Sequence, residues 1–297
     1  MKTYFECIPC FVRQALDAVR LATDNEDMHE DVLRSILRAA SEMDLRESPP
    51  VMGRHIHRMI RQLTGENDPY RSIKDRFNEF ALRLYPELRK KVERSSEPIE
   101  TAVRLAIAGN IIDSGVNSEI DETNVHEAIE HALTEPLTAD LKEFMKALDR
   151  AGSILYLGDN AGEIVFDRLL IEQMPLEKIT FVVKAGPIIN DACLADARKT
   201  GMTELVDVID NGSDAPGTIL NSCSERFRER FEKADLIIAK GQGNYETLSD
   251  VDKDIFFVLK AKCPVIAKQI GCEVGSLVFM RSSAQDRPAL KQNTQRR

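Results

Sequence analysis

Between Ser153 and Asp191 the chain runs through strand, turn and helix and then begins the same order again, which calls for a largely parallel sheet. Ile154-Leu155-Tyr156-Leu157 is a short apolar run that reads as a buried strand, and Gly158-Asp159-Asn160-Ala161-Gly162-Glu163 follows as a turn. After it, Ile164, Val165, Leu169 and Leu170 recur at helical spacing with Asp167, Arg168 and Glu172 on the other side. In open α/β sheets, ligands sit outside the carboxyl ends of such strands, close to helix N-termini. The turn is rich in chemistry for its size. Asp159, Asn160 and Glu163 stand where a simple phosphate loop would carry glycine.

The layout recurs at Ile179–Val183, a β-branched and aromatic strand that runs into Lys184-Ala185-Gly186-Pro187-Ile188-Ile189-Asn190-Asp191. Asn190 or Asp191 is expected to cap a helix over Ala192–Lys199. An Asp or Asn taken alone reads as an ordinary cap; two adjacent strand ends, each with an Asn/Asp pair, read as a site. Hard oxygen donors without histidine suit Mg²⁺, Mn²⁺ or a similar divalent cation.

Further strands are expected at Val206–Ile209, Leu236–Ala239, Ile255–Val258 and Pro264–Ala267, with a helix over Cys223–Lys233. Their polar ends, among them Asp210 to Gly217 and Lys240-Gly241-Gln242-Gly243-Asn244, converge on one rim. There the backbone amides and Lys240 offer a phosphate grip. The first half reads as helical throughout. One helix carries Ile73, Phe77, Phe80 and Leu84, stops before Pro86, and sets Lys74 and Asn78 on one face. Pro98–Ile112 forms the next, ending in the polar interruption Gly109-Asn110 and in Asp113-Ser114-Gly115; Thr138 is a plausible N-cap for a helix to Ala151. The fold class is therefore α/β: a largely parallel, doubly wound (Rossmann-like) sheet preceded by an all-helical N-terminal half. The expected division is a helical cap over 1–150, a metal- and phosphate-binding domain over 151–281 and a disordered tail over 282–297.

Net charge of −9 argues against nucleic acid as a partner, and no apolar run approaches a membrane span. Six cysteines without a secretory signal point to reduced thiols and the cytoplasm. Cys7-Ile8-Pro9-Cys10 opens a helix with no preceding strand and no second C-x-x-C, so the two thiols are expected to be buried and structural. His55 and His57, two apart, point to different helix faces and lack ligand spacing.

Five blocks in order resemble the DUF89 family, the damage-control phosphatases, in its prokaryotic branch with an N-terminal C-x-x-C. They are Cys7-Ile8-Pro9-Cys10, Ala108-Gly109-Asn110-Ile111-Ile112-Asp113, Gly158-Asp159-Asn160-Ala161-Gly162-Glu163, Pro187-Ile188-Ile189-Asn190-Asp191-Ala192 and Ala239-Lys240-Gly241-Gln242-Gly243-Asn244-Tyr245. The resemblance covers the chain to about residue 280. It implies a phosphatase of small phosphorylated metabolites that depends on a divalent ion (Mn²⁺, Mg²⁺, Co²⁺ or Ni²⁺), held at the positions of Asp159, Asn160 and Asp191. Asp159, Glu163 and Asp191 are then the expected catalytic residues. Asn110, Asp113, Asn190, Lys240, Gly241 and Asn244 are the expected substrate contacts, with the helical half closing over the rim. Self-association into a homo-oligomer is left open.

Three other readings compete, the weakest a purely structural interaction protein, which would not need so many polar groups along one sheet rim. A strand followed by Gly-x-x-x-Gly superficially matches the cofactor loop of a SAM-dependent carboxyl methyltransferase, although Asp159 and Asn160 crowd the space a nucleoside needs. A non-catalytic metal or thiol sensor would centre on Cys7 and Cys10. Metal-dependent turnover of a generic phosphate ester separates the phosphatase reading from all three.

Overall fold

The computed structural model describes residues 1–112 and 122–282. The helical half holds α1 (Cys7–Ala22), α2 (Glu26–Glu42), α3 (Pro49–Thr64), α4 (Arg71–Arg94), α5 (Pro98–Ile112) and α6 (Glu122–Thr134). Strand β1 (Leu137–Ala139) and helix α7 (Leu141–Arg150) lead into the alternating half. That half runs β2 (Ile154–Leu157), α8 (Glu163–Ile171), β3 (Ile179–Val183), α9 (Leu194–Lys199), α10 (Met202–Leu205) and β4 (Asp207–Asp210). It continues with α11 (Glu225–Lys233), β5 (Leu236–Lys240), α12 (Gly241–Leu248), β6 (Ile255–Lys260), α13 (Pro264–Ile270) and β7 (Leu277–Arg281).

These strands form one seven-stranded sheet in the order β1-β7-β6-β5-β2-β3-β4. Every neighbouring pair is parallel except β6 with β7. The chain leaves β2 toward β3 on one side, while β5 pairs on the other, so strand order reverses at β2. A crevice opens outside the carboxyl end of the strand at such a reversal. Asp159 and Asn160 stand at that end.

Burial on both faces follows from the two-residue period of the strand. Ile154 and Tyr156 enter one core with residues of α4, α5 and α8. Leu155 and Leu157 enter another with residues of α11, α12 and α13. A third core, including Phe11, Val19, Val32, Ile36, Ile56, Ile73 and Phe77, joins α1 to α4. Helix α4 reaches from this third core into the first, and thereby ties the helical half to the sheet.

Several local expectations are corrected. Pro264–Ala267 is helical, because Pro264 occupies the first turn after an extended Cys263; its place beside β6 belongs to β7. A short apolar run with a leading proline fits either period, and length alone does not decide it. The first half is not wholly helical: Leu137–Ala139 pairs with β7, so Thr138 lies in a strand and α7 starts after Asp140. Helix α4 continues through Pro86, since Leu88 and Val92 beyond it are buried in the core. Cys193, and not Asn190 or Asp191, caps α9, reciprocally with Asp196. Of the expected tail, Ser282 lies within the described residues, and its hydroxyl accepts from the Ile255 amide at 3.0 Å.

Phe181 is fully buried and stacks on Tyr156 with centroids 5.4 Å apart. Phe181→Ala should lower the unfolding free energy by about 3–5 kcal/mol in urea denaturation followed by circular dichroism. A loss under ~1 kcal/mol would mean that this part of the core collapses onto the cavity.

Candidate active site

The two polar turns are hydrogen-bonded to each other. The Asp159 carbonyl accepts from the Ala192 amide at 2.8 Å, the Ala161 amide donates to the Asn190 carbonyl at 2.9 Å, and Asn160 forms an isolated antiparallel bridge with Asp191. Asp159 and Asn160 are thereby brought against Asp191, which lies a whole helix–strand unit further along the chain. Two glycines make the approach feasible. Gly162 has φ +78°, and a Cβ there would stand 2.9 Å from Phe77 Cβ; Gly241 has φ +75°, and its Cβ would lie 1.8 Å from Asp159 Oδ2. Ile189, β-branched, takes φ +46° just ahead of Asn190. Such strain costs of order 1–3 kcal/mol and concentrates at functional sites.

Charge is dense here and shielded from water. Lys240 Nζ donates to Glu163 Oε1 at 2.6 Å, to Asp167 Oδ1 at 2.7 Å and to the Ala106 carbonyl at 2.7 Å. Tyr156 donates to Asp167 at 2.9 Å. Asn110 Nδ2, from the helical half, donates to Asp159 Oδ2 at 3.1 Å and Glu163 Oε2 at 2.9 Å; Asn160 Nδ2 reaches the same two oxygens at 3.2 and 3.0 Å. Lys184 Nζ stands 3.5 Å from Asp191 Oδ2 and donates to the Gly217 carbonyl. Burial, then Glu163 and Asp191, push the Asp159 carboxyl well above the usual carboxylate range. Burial works to lower the Lys240 pKa, but Asp167 and Glu163 together raise it, so the ammonium is retained. Four buried carboxyls (Asp159, Glu163, Asp167, Asp191) thus face two buried ammonium groups (Lys184, Lys240). Fully ionised, the set is short of two positive charges.

With this geometry in hand, known proteins give a consistent comparison. The damage-control phosphatase ARMT1-like domain matches residues 3–278. The chain belongs to this family. A damage-control phosphatase from Pyrococcus horikoshii is 37% identical over 290 residues, spanning 95% of this chain and 99% of its own. One from Archaeoglobus fulgidus is 37% identical over 280 residues, spanning 92% and 96%. An uncharacterised protein of Methanocaldococcus jannaschii is 38% identical over 288 residues, 93% and 94% of the two chains. The crystal structure of a DUF89 family protein from P. horikoshii superposes with a TM-score of 0.87 at 35% identity, covering 95% of this chain and all of that one. The chain is accordingly a phosphatase, and the methyltransferase reading falls. The space beside both glycines of the supposed cofactor loop is filled by the protein itself, by Phe181 at Gly158 and by Phe77 at Gly162.

Within this phosphatase fold the expected residues divide. Asp159, Asn160, Glu163, Asp191, Asn110 and Gly241 meet at the crevice. Asn190 is buried beside them, with its carbonyl committed to the Ala161 amide. Lys240 is corrected: it is fully buried and its three donors are taken by Ala106, Glu163 and Asp167, which leaves none for a phosphate. Asn244 is corrected likewise, since its amide bridges Thr218 Oγ1 and the Lys240 carbonyl at 2.7 Å each. Asp113 lies outside the described residues. Cys7 is only half-buried and Cys10 is exposed, so the pair does not form the buried thiols expected. Sequence reading missed Lys184 and Asp167. A lysine directly after the buried strand β3, mirroring Lys240 at the end of β5, was the available signal.

Removing the Lys240 ammonium strands Glu163 and Asp167 without their buried countercharge. Lys240→Met should therefore cost about 3–5 kcal/mol of stability, measured by chemical denaturation. Unchanged stability with a raised KM for a phosphate ester would instead restore the role as a phosphate contact.

Proposed function

We propose that the chain is a divalent-metal-dependent phosphatase hydrolysing small phosphorylated metabolites such as sugar phosphates. The observation that carries this reading is the convergence of Asp159, Asn160 and Asp191, buried hard oxygen donors at two neighbouring strand ends where carboxyls outnumber ammonium groups. Asp159, Asn160 and Asp191 would hold the cation, and their two carboxylates and one amide suit Mn²⁺, Mg²⁺, Co²⁺ or Ni²⁺ over a thiophilic ion. When bound, such an ion supplies countercharge and Lewis acidity toward a phosphoryl group.

The remaining steps belong to side chains. Glu163 is fixed through Oε1 by Lys240 and through Oε2 by Asn110 and Asn160, and would serve as proton acceptor for an attacking water once Asn160 turns to the cation. Lys184, beside Asp191, offers a positive charge at the rim for the phosphate, the role first expected of Lys240. Asn110 reaches the rim from the helical half, which supports that half as the wall that selects the rest of the substrate. The net charge of −9 disfavours nucleic acid as a partner, and among the described residues no helix is long and apolar enough to cross a membrane. Free thiols at all six cysteines fit the cytoplasm.

Calorimetric titration of Mn²⁺ tests the ligand set. Asp159→Ala and Asp191→Ala should each weaken binding by more than ~100-fold, with phosphate ester turnover falling in step. Wild-type affinity in both variants would refute the assignment.

A further inference from the structure

Helix α4 carries Lys74 and Asn78 on one face, both buried, and neither is used by the chemistry above. Asn78 is fully buried, and its carboxamide links the turn that presents Asp159 and Asn160 to Asp196 on α9, whose carboxylate holds the backbone just past Asp191. Its Oδ1 accepts from the Gly162 amide at 2.7 Å, at the end of the turn that presents Asp159 and Asn160. Its Nδ2 donates to Asp196 Oδ1 at 2.9 Å. Asp196 Oδ2 in turn accepts from the Cys193 amide at 3.0 Å, two residues past Asp191.

We propose that Asn78 is a positioning residue whose carboxamide fixes the spacing of the two turns carrying Asp159, Asn160 and Asp191, and so sets the affinity of the site for a divalent cation. The inference rests on the metal reading above. The chemistry needs one acceptor and one donor on a single short planar group. An aspartate at 78 would offer no donor and would face the Asp196 carboxylate, and an apolar residue would offer neither group. Gly162 cannot supply a side-chain cap for α8, so the acceptor comes from another element, 84 residues away in sequence. Asp196 can accept two bonds at full burial because cations balance it. Lys74 Nζ lies 3.7 Å from Asp196 Oδ2 and 2.8 Å from Asp68, and Arg71 Nη1 lies 3.7 Å from Asp196 Oδ1. The turn backbone is thus held at the Asp159 carbonyl, the Ala161 amide and the Gly162 amide before any ligand arrives. A cation binding between prepositioned ligands does not have to order them, and that saving appears as affinity.

The test is Mn²⁺ titration by calorimetry on wild type, Asn78→Ala and, as a control for lost stability, Phe80→Leu. Phe80 is a buried core residue of the same helix. Asn78→Ala should weaken the Mn²⁺ Kd by at least ~10-fold, the range seen when groups behind metal ligands are removed. Its kcat at saturating Mn²⁺ should be largely retained, because a bound ion restores the spacing. Phe80→Leu should lower the melting temperature and leave the Kd unchanged. If Asn78→Ala does not fold, Asn78→Ser, which adds no charge beside Asp196 and is too short to span both partners, carries the same expectation. Wild-type affinity in a folded position-78 variant overturns the proposal, as does equal weakening in Phe80→Leu. A wild type that binds no Mn²⁺ overturns the metal reading and this inference with it.

Discussion

Burying like charges is costly, and the layout of the crevice follows from managing that cost. Carboxylates gathered out of water repel one another and lose their hydration, so each needs a cation or a proton. Glu163 and Asp167 share Lys240, and Asp191 has Lys184 nearby, while Asp159 is pushed toward its protonated form by burial and by its acidic neighbours. Where Asp159, Asn160 and Asp191 converge, the proposed divalent cation would stand in for that proton as countercharge.

The helical half takes part in this arrangement directly. Asn110 of α5 donates to two of the carboxyls, and Asn78 of α4 holds the turn that presents them. Farther along the rim, Arg54, Arg58 and Arg61 of α3 all bond the Asp214 carboxylate at 2.6–2.8 Å, and Arg61 also donates to the Pro187 carbonyl at 2.7 Å. Burial alone would raise Asp214, but Arg58 and Arg54 hold it well below the usual carboxylate range. The loops that follow β3 and β4 are therefore anchored to the cap as well as to the sheet.

Much of this was legible in the sequence where chemistry is local. The strand–turn–helix unit around Gly158–Glu163 announced both the parallel sheet and the site, since apolar period and polar turn change within a few residues. Asp159, Asn160 and Asp191 could be paired because two similar strand ends suggested one rim. What could not be read was partner choice across the chain. Lys240 at a strand end looks like a phosphate contact until Asp167 and Ala106 are found to take its donors. Arg54, Arg58 and Arg61 share a helix face by spacing, but their common partner lies 153 residues or more away. Leu137–Ala139 is too short to carry a period, and only its pairing with β7 makes it a strand. Tertiary contacts decided each of these.

The central claim is that a divalent cation completes the buried charge at the end of β2. Anomalous diffraction from crystals grown with Mn²⁺ and no competing chelator tests it most directly. The account predicts a strong anomalous peak bounded by Asp159, Asn160 and Asp191. Ordered side chains at that position with no peak, or a peak located instead at Cys7 and Cys10, would contradict it.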